Sequence, residues 1–258
     1  MGLYPGAGAV QKPGDRCTSG RKAGVVAYDK ASGKEVWASP PLGKAEHASP
    51  LVTTVGGVDQ VVMLSVGGRI CGVDISDGKL LWRYDDWKCD IPIPSPLVIG
   101  DGRFFITGGY GAGSAMFRVE RRDGKFAVSE LFKIKTPGSI IHNALLYQDH
   151  LYVKHNNKRS HKGIMCLDLE GNVKWNRGES ASYDFGNMLL VDGVILNLDG
   201  KDGKLRVIEA APTGYKVLAS AQIFPGGQET WAPMAFSDGK LVLRDQKGLM
   251  KCLDIRGW

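Results

Sequence analysis

One turn motif recurs along the whole chain and limits what it can fold into. VVAYDKASGKEVW (25–37), ICGVDISDGKLLW (70–82) and MCLDLEGNVKW (165–175) share an apolar run, an acidic residue, a short polar turn containing glycine, and a tryptophan four residues after that glycine. FRVERRDGKFAV (117–128) and VIEAAPTGYKVL (207–218) keep the acid and the glycine but carry Val128 and Leu218 in place of tryptophan, and CLDIRGW ends at the turn. The turn glycines Gly33, Gly78, Gly124, Gly171, Gly214 and Gly257 follow one another at 45, 46, 47, 43 and 43 residues. A period of about 40–50 residues marks a structural unit that buries its apolar faces only against copies of itself.

Each period reads as four strands. SPLVTTVGGVDQVVMLSV, SPLVIGDGRFFITGG, NALLYQDHLYVKH, NMLLVDGVILNL and APMAFSDGKLVLRD each place a Gly- or Asp-containing turn between two apolar, β-branched or aromatic runs, which predicts a hairpin. The run before the acid and the run after the glycine complete a four-stranded antiparallel sheet, the blade of a β-propeller. The fold class is therefore all-β. Five to six blades are expected, four of them complete, with two strands of another before them and three of another after. The expected parent is a ring of seven or eight blades, with residues 1–23 as an irregular segment or truncated blade and 24–258 as the propeller domain.

In this grammar the acid (Asp29, Asp74, Asp168, Asp254) caps the turn, the glycine supplies a positive φ, and the tryptophan packs between blades. These are scaffold roles because every repeat carries them. Cys71, Cys166 and Cys252 occupy matching strand positions, which predicts small buried side chains. With Cys17 and Cys89 they form an odd, scattered set of five, with neither an adjacent pair nor a C-x-x-C, which argues against a disulfide framework and structural zinc.

Composition narrows the function. The 258 residues are 43% hydrophobic and 23% charged, with a formal charge of +6. The basic residues are dispersed and no recognition helix or RNA-binding motif accompanies them, so no nucleic-acid partner is expected. No apolar stretch approaches the roughly 18 residues of a membrane-spanning helix, and no signal peptide is visible.

The turn grammar, followed by an S-P-[LV]-[VI] strand, resembles the pyrroloquinoline-quinone-like (PQQ-like) repeat family over nearly the whole chain from about residue 24. That resemblance implies a propeller and residence in the periplasm or at the cell surface. It also covers two functional classes. In overall wording the chain is most similar to the non-dehydrogenase bacterial members, which implies a non-catalytic module binding a protein, peptide or carbohydrate on the funnel face, with no cofactor. The alternative is a quinoprotein alcohol dehydrogenase holding PQQ with calcium, although the adjacent cysteines and acidic cluster of that class are not found here. A sugar- or phosphate-processing hydrolase ranks third, because the mouth positions offer only Glu46 and Glu229 as acids.

In a propeller, the residues just before each innermost strand ring the channel mouth. These are His47-Ala48, Ile93-Pro94, Ile141-His142, Phe185-Gly186 and Thr230-Trp231. Equivalent positions that differ from their counterparts are the candidates for ligand binding: Glu46, His47, His142, Asn143, Glu229 and Trp231. On the same face, HNNKRSHKG (155–163) concentrates His155, Lys158, Arg159, His161 and Lys162 in a loop expected to bind an anion. GGYGAGS (108–114) reads as a wide turn, since a strand rather than a helix follows it. No nucleophile–base pair or metal-ligand spacing is present, so no catalytic residue is assigned.

Overall fold

The computed structural model describes residues 7–9, 23–157, 160–177, 186–226 and 230–256, with residues 7–9, 157 and 160–162 described by their backbone. It has two compact units, Met1–Lys135 and Thr136–Trp258. The first contains β1 (Ala7–Ala9), β2 (Val26–Asp29) and β3 (Glu35–Ala38) in one sheet. A second sheet holds β4 (Leu51–Val55), β5 (Val58–Ser65), β6 (Arg69–Asp74) and β7 (Leu80–Tyr84). The third holds β8 (Leu97–Gly100), β9 (Arg103–Gly108), β10 (Gly113–Arg122) and β11 (Lys125–Ile134).

The second unit is built alike. One sheet holds β12 (Leu145–Tyr147), β13 (His150–Asn157), β14 (Ser160–Asp168) and β15 (Val173–Asn176). The next holds β16 (Met188–Val191), β17 (Val194–Leu198), β18 (Lys204–Glu209) and β19 (Val217–Gln222). The last has β20 (Ala235–Ser237), β21 (Lys240–Arg244) and β22 (Met250–Asp254). All pairing is antiparallel between neighbours in sequence, as the repeat predicted. Among the described residues no helix is long and apolar enough to cross a membrane.

The hairpin turns are where the short polar dipeptides place them. Asp101-Gly102, Asp192-Gly193 and Asp238-Gly239 all have two successive positive φ values, 51° and 70°, 46° and 79°, and 49° and 67°. That is the two-residue turn whose twist matches the flanking strands. The motif acids cap their turns: Asp29 accepts the Ser32 N–H at 2.7 Å, Asp74 that of Ser76 at 2.8 Å, and Asp168 that of Asn172 at 2.8 Å. In four sheets the ladder of the last two strands slips register just before the motif acid, at Ala27/Tyr28, Gly72/Val73, Cys166/Leu167 and Val207/Ile208. The recurring bulge turns the outer strand and its tryptophan toward the next sheet.

Each seam between successive sheets within a unit has its own apolar core. In the first unit Trp37, Leu42, Val61, Met63 and Val73 close the first seam, and Trp82, Tyr84, Phe104 and Phe117 the second. In the second unit Tyr152, Cys166, Trp175, Ile195 and Ile208 form one seam, and Leu196, Leu198, Phe224, Leu241 and Leu243 the other. A Cβ at Gly78, which sits at φ +73°, would lie 2.4 Å from Cε3 of Trp37, so the turn glycine of one sheet also makes room for the indole of the sheet before it.

Three expectations change. The first sheet has a third strand, β1, paired with β2 through Ala7–Ala9. Ala-Gly-Ala has no alternating apolar pattern to read in the sequence. HNNKRSHKG is not a loop among its described residues, because β13 and β14 run into it and pair Asn157 with Ser160. Cys71 and Cys166 are buried as expected and burial raises both thiols to about 11, whereas Cys252 is exposed on the outer strand of a three-stranded sheet.

Candidate functional site

The starts of the innermost strands of neighbouring sheets are tied together in both units. In the first, Ser49 N–H donates to Ser95 Oγ at 3.1 Å, and Ser95 Oγ donates back to the Ser49 carbonyl at 3.1 Å. In the second, Asn187 Nδ2 donates to the Trp231 carbonyl at 3.4 Å. Ser49, Ser95 and Asn187 hold equivalent repeat positions, so the candidate residues next to them lie at corresponding ends of their sheets.

The predicted residues nevertheless fall into different environments. Glu46 and His47, in the first unit, lie near the surface: Lys44 Nζ is 3.0 Å from Glu46 Oε1, and His47 Nε2 is 3.9 Å from Glu46 Oε2. In the second unit Asn143 and Trp231 are exposed, while His142 is only 2% exposed. His142 was expected at a wet mouth. Instead neither ring nitrogen has a hydrogen-bond partner, although its own N–H donates to Ser139 Oγ at 3.0 Å. Burial, reinforced by the Lys154 charge, holds its pKa well below the ordinary histidine value. Glu229, Lys158 and Arg159 lie outside the described residues, and only the backbone of His161 and Lys162 is described, in β14.

His155 is buried and its Nδ1 accepts the Gly138 N–H at 2.9 Å, so this ring holds the segment ahead of His142 rather than facing solvent for an anion. Asn156 acts in the same way, its Oδ1 accepting the Ile140 N–H at 2.9 Å.

The strongest polar feature of the second unit is a set of buried groups at the ends of the second strands. Lys154 in β13 is fully buried and donates to the Gly186 carbonyl at 2.5 Å. A Cβ on Gly186 would lie 1.7 Å from the Leu198 carbonyl oxygen, and one on Gly200 would lie 3.4 Å from Thr230 Oγ1. These contacts bring the exit of β13, the entry and exit of the β16–β17 hairpin and the approach to β20 to one place. There Asp199 is 4% exposed, 3.5 Å from Arg206 Nη1; burial raises its pKa against the opposing effects of the Lys201 N–H and the Lys154 charge. Both amide atoms of Asn197, Asn156 Nδ2 and Thr230 Oγ1 join the His142 nitrogens as buried atoms without a hydrogen-bond partner. A buried polar group left unsatisfied costs about 1–3 kcal/mol, so such a cluster is suited to an incoming hydrogen-bonding ligand.

Lys154, Asn156, Asn197 and Thr230 were not singled out as site residues in the sequence. For Lys154, Asn156 and Asn197 the one local signal is a polar residue at the end of an otherwise apolar second strand, as in LYVKHNN and VILNLD, whereas Thr230 lies in one of the pairs read at the channel mouth. The cluster has donors and acceptors of both kinds. Among the described residues no three His, Cys, Asp or Glu side chains come together as metal ligands.

Successive four- and three-stranded antiparallel sheets, sealed to one another by apolar seams within each unit, give the β-propeller fold. A family model described as outer membrane protein assembly factor BamB matches residues 4–125. Among solved structures, Sqt1 of Saccharomyces cerevisiae is 12% identical with a TM-score of 0.62, over 91% of this chain and 67% of that one. Quinohemoprotein alcohol dehydrogenase of Comamonas testosteroni is 16% identical with a TM-score of 0.59, over 85% of this chain but 48% of that one. BamB of Moraxella catarrhalis is 14% identical with a TM-score of 0.48, over 93% and 79%. The search of curated proteins found no match. The family match covers residues 4–125, just under half of the chain, and the solved structures share its propeller fold.

Proposed function

We propose that this chain is a non-catalytic binding module that takes a neutral, hydrogen-bonding ligand, a segment of a protein or peptide or a carbohydrate, at the strand ends around His142, Asn197 and Thr230. The observation that carries the reading is the set of buried polar atoms without partners in one unit, presented by strand ends that the sheets hold in place. A neutral imidazole, a carboxamide and a hydroxyl donate and accept without carrying charge, which suits backbone amides and sugar hydroxyls. The BamB description of the matched family supports a protein ligand and residence in the periplasm or at the cell surface.

The quinone-dependent alternative has less support from the residues. Calcium takes about six to eight oxygen ligands, and no cluster of three acidic side chains is found among the described residues. The sequence also has no adjacent cysteines to cover a quinone. The two readings are separated by titrating isotopically labelled protein with extended peptides and with oligosaccharides. Amide shifts confined to Gly186, Asn197, Gly200 and Thr230, abolished in Asn197→Leu, are expected. A rise in Tm with PQQ plus calcium, together with dye reduction driven by an alcohol, would overturn the proposal.

A further inference from the structure

The tryptophans of the repeat fill three of the four seams that lie within the units. Trp37 and Trp175 each donate the indole N–H to a backbone carbonyl of the next sheet, Ile75 at 3.0 Å and Ala211 at 2.8 Å. Trp82 packs its ring on Phe104 and Phe117 of the next sheet, with centroids 5.7 and 5.9 Å away. In the fourth seam, between the β16–β19 sheet and the β20–β22 sheet, the register puts Ala219 rather than Leu218 at the tryptophan position: Ala219 pairs with Val207, two residues before Glu209, as Trp37 pairs with Ala27, Trp82 with Gly72 and Trp175 with Cys166. Ala219 is half-buried and has only a methyl group where the other seams have an indole. A cavity of about 440 Å³ opens there, lined by Val207, Leu218, Ala219, Phe236, Leu253 and Ile255. That volume is within the range of small-molecule sites, roughly 300–1,000 Å³.

The repeat itself indicates what such a space accepts. Ile75, the acceptor for Trp37, is one residue past the acid Asp74, and Ala211, the acceptor for Trp175, is two past the acid Glu209; the residues one and two past Asp254 are Ile255 and Arg256, of which Ile255 lines the cavity. The walls are otherwise apolar, and Asp192 is the charged residue among those lining it. We infer that this cavity is a binding site for a small planar aromatic molecule with a ring N–H, of the indole class. Its ring takes the place of the missing tryptophan and its N–H is directed at the Ile255 carbonyl. The Asp192 carboxylate favours a cationic substituent on the ring over an anionic one. The site does not depend on the ligand proposed above, because it lies on the side of the β16–β17 turn, away from the exit of β17.

The test uses the full chain with three probes, indole, tryptamine and indole-3-acetate, followed by Tm and by amide shifts. Binding in the order tryptamine, indole, indole-3-acetate is expected, with shifts at Ala219, Leu253 and Ile255. Asp192→Asn should bring tryptamine and indole within about twofold of each other, and 1-methylindole, lacking the donor, should bind about five- to tenfold more weakly than indole. Ala219→Trp should raise Tm without ligand and weaken indole binding at least tenfold by filling the space from within. Ala219→Leu, a smaller change, should weaken it in the same direction if the tryptophan variant does not fold. The inference is overturned if no probe perturbs these amides at millimolar concentration, if shifts spread evenly over the chain, or if indole binds the filled variants as well as the parent.

Discussion

The indole nitrogen of Trp37, in β3, lies 3.0 Å from the carbonyl oxygen of Ile75, in the turn that follows β6. One side chain thus joins the outer strand of one sheet to the turn of the next, and Trp175 does the same to Ala211. The seam combines burial of a large aromatic surface with a directional bond that sets how far the second sheet is turned relative to the first.

Removing the two contributions separately should show their sizes. Trp37→Phe keeps most of the ring but loses the donor, and a cost of about 1–2 kcal/mol is expected. Trp37→Ala also leaves a cavity, and about 3–5 kcal/mol is expected. Urea unfolding of the two variants checks this, and equal losses would show that the hydrogen bond contributes nothing.

Gly72 sets how closely Trp82 can approach its own sheet. A Cβ there would lie 2.2 Å from Trp82 Nε1 and 2.6 Å from Gln60 Oε1, in the middle of the 2.5 Å bond between those side chains. Gly72→Ala should cost about 1–3 kcal/mol through overpacking and red-shift the tryptophan emission as the indole is displaced. An unchanged spectrum and urea midpoint would contradict this.

The Asp168 turn should lose stability in acid. Burial opposes its ionisation, but hydrogen bonds from the Asn172 side chain and N–H and from Lys174 outweigh it and bring the carboxyl to about 2, below the unfolded value of about 3.9. Its contribution is fully present above about pH 4 and is lost as the pH falls through about 2. Asp168→Ala should cost about 1 kcal/mol at pH 7 and flatten the pH dependence between 4 and 2 in a series of acid unfolding measurements.

His142 acts in a higher pH window. Its folded pKa is depressed, so below about pH 6.5 the unfolded chain takes up a proton that the folded chain refuses. Stability should fall toward pH 5 by up to about 1.4 kcal/mol per pH unit from this group. His142→Leu should remove that slope while leaving stability at pH 7.5 equal or higher, since no side-chain hydrogen bond of the imidazole is lost. Urea midpoints at pH 7.5 and 5.0 for both proteins decide it.

Much of the architecture is legible in short stretches of sequence. Two adjacent turn residues determine the sign of φ, alternation determines which side chains share a face, and the acid-to-glycine spacing determines where each turn is capped. Those effects act over a few residues, so Asp101-Gly102 and Asp29-Ser32 could be read without knowing what lies beside them. The candidate site was only partly legible, because His47 and His142 occupy neighbouring repeat positions, two residues before Ser49 and one before Asn143, yet one is on the surface and the other is buried.

The amino-acid order alone therefore determined the blade, its hairpins and the tryptophan that closes a seam. Packing decided the rest. Lys154, Asn197 and Thr230 are shielded from water only because strand ends from three sheets meet, and the space beside Leu218 exists only because of what faces it. Solvent exclusion depends on neighbours distant in sequence, and no local pattern encodes it.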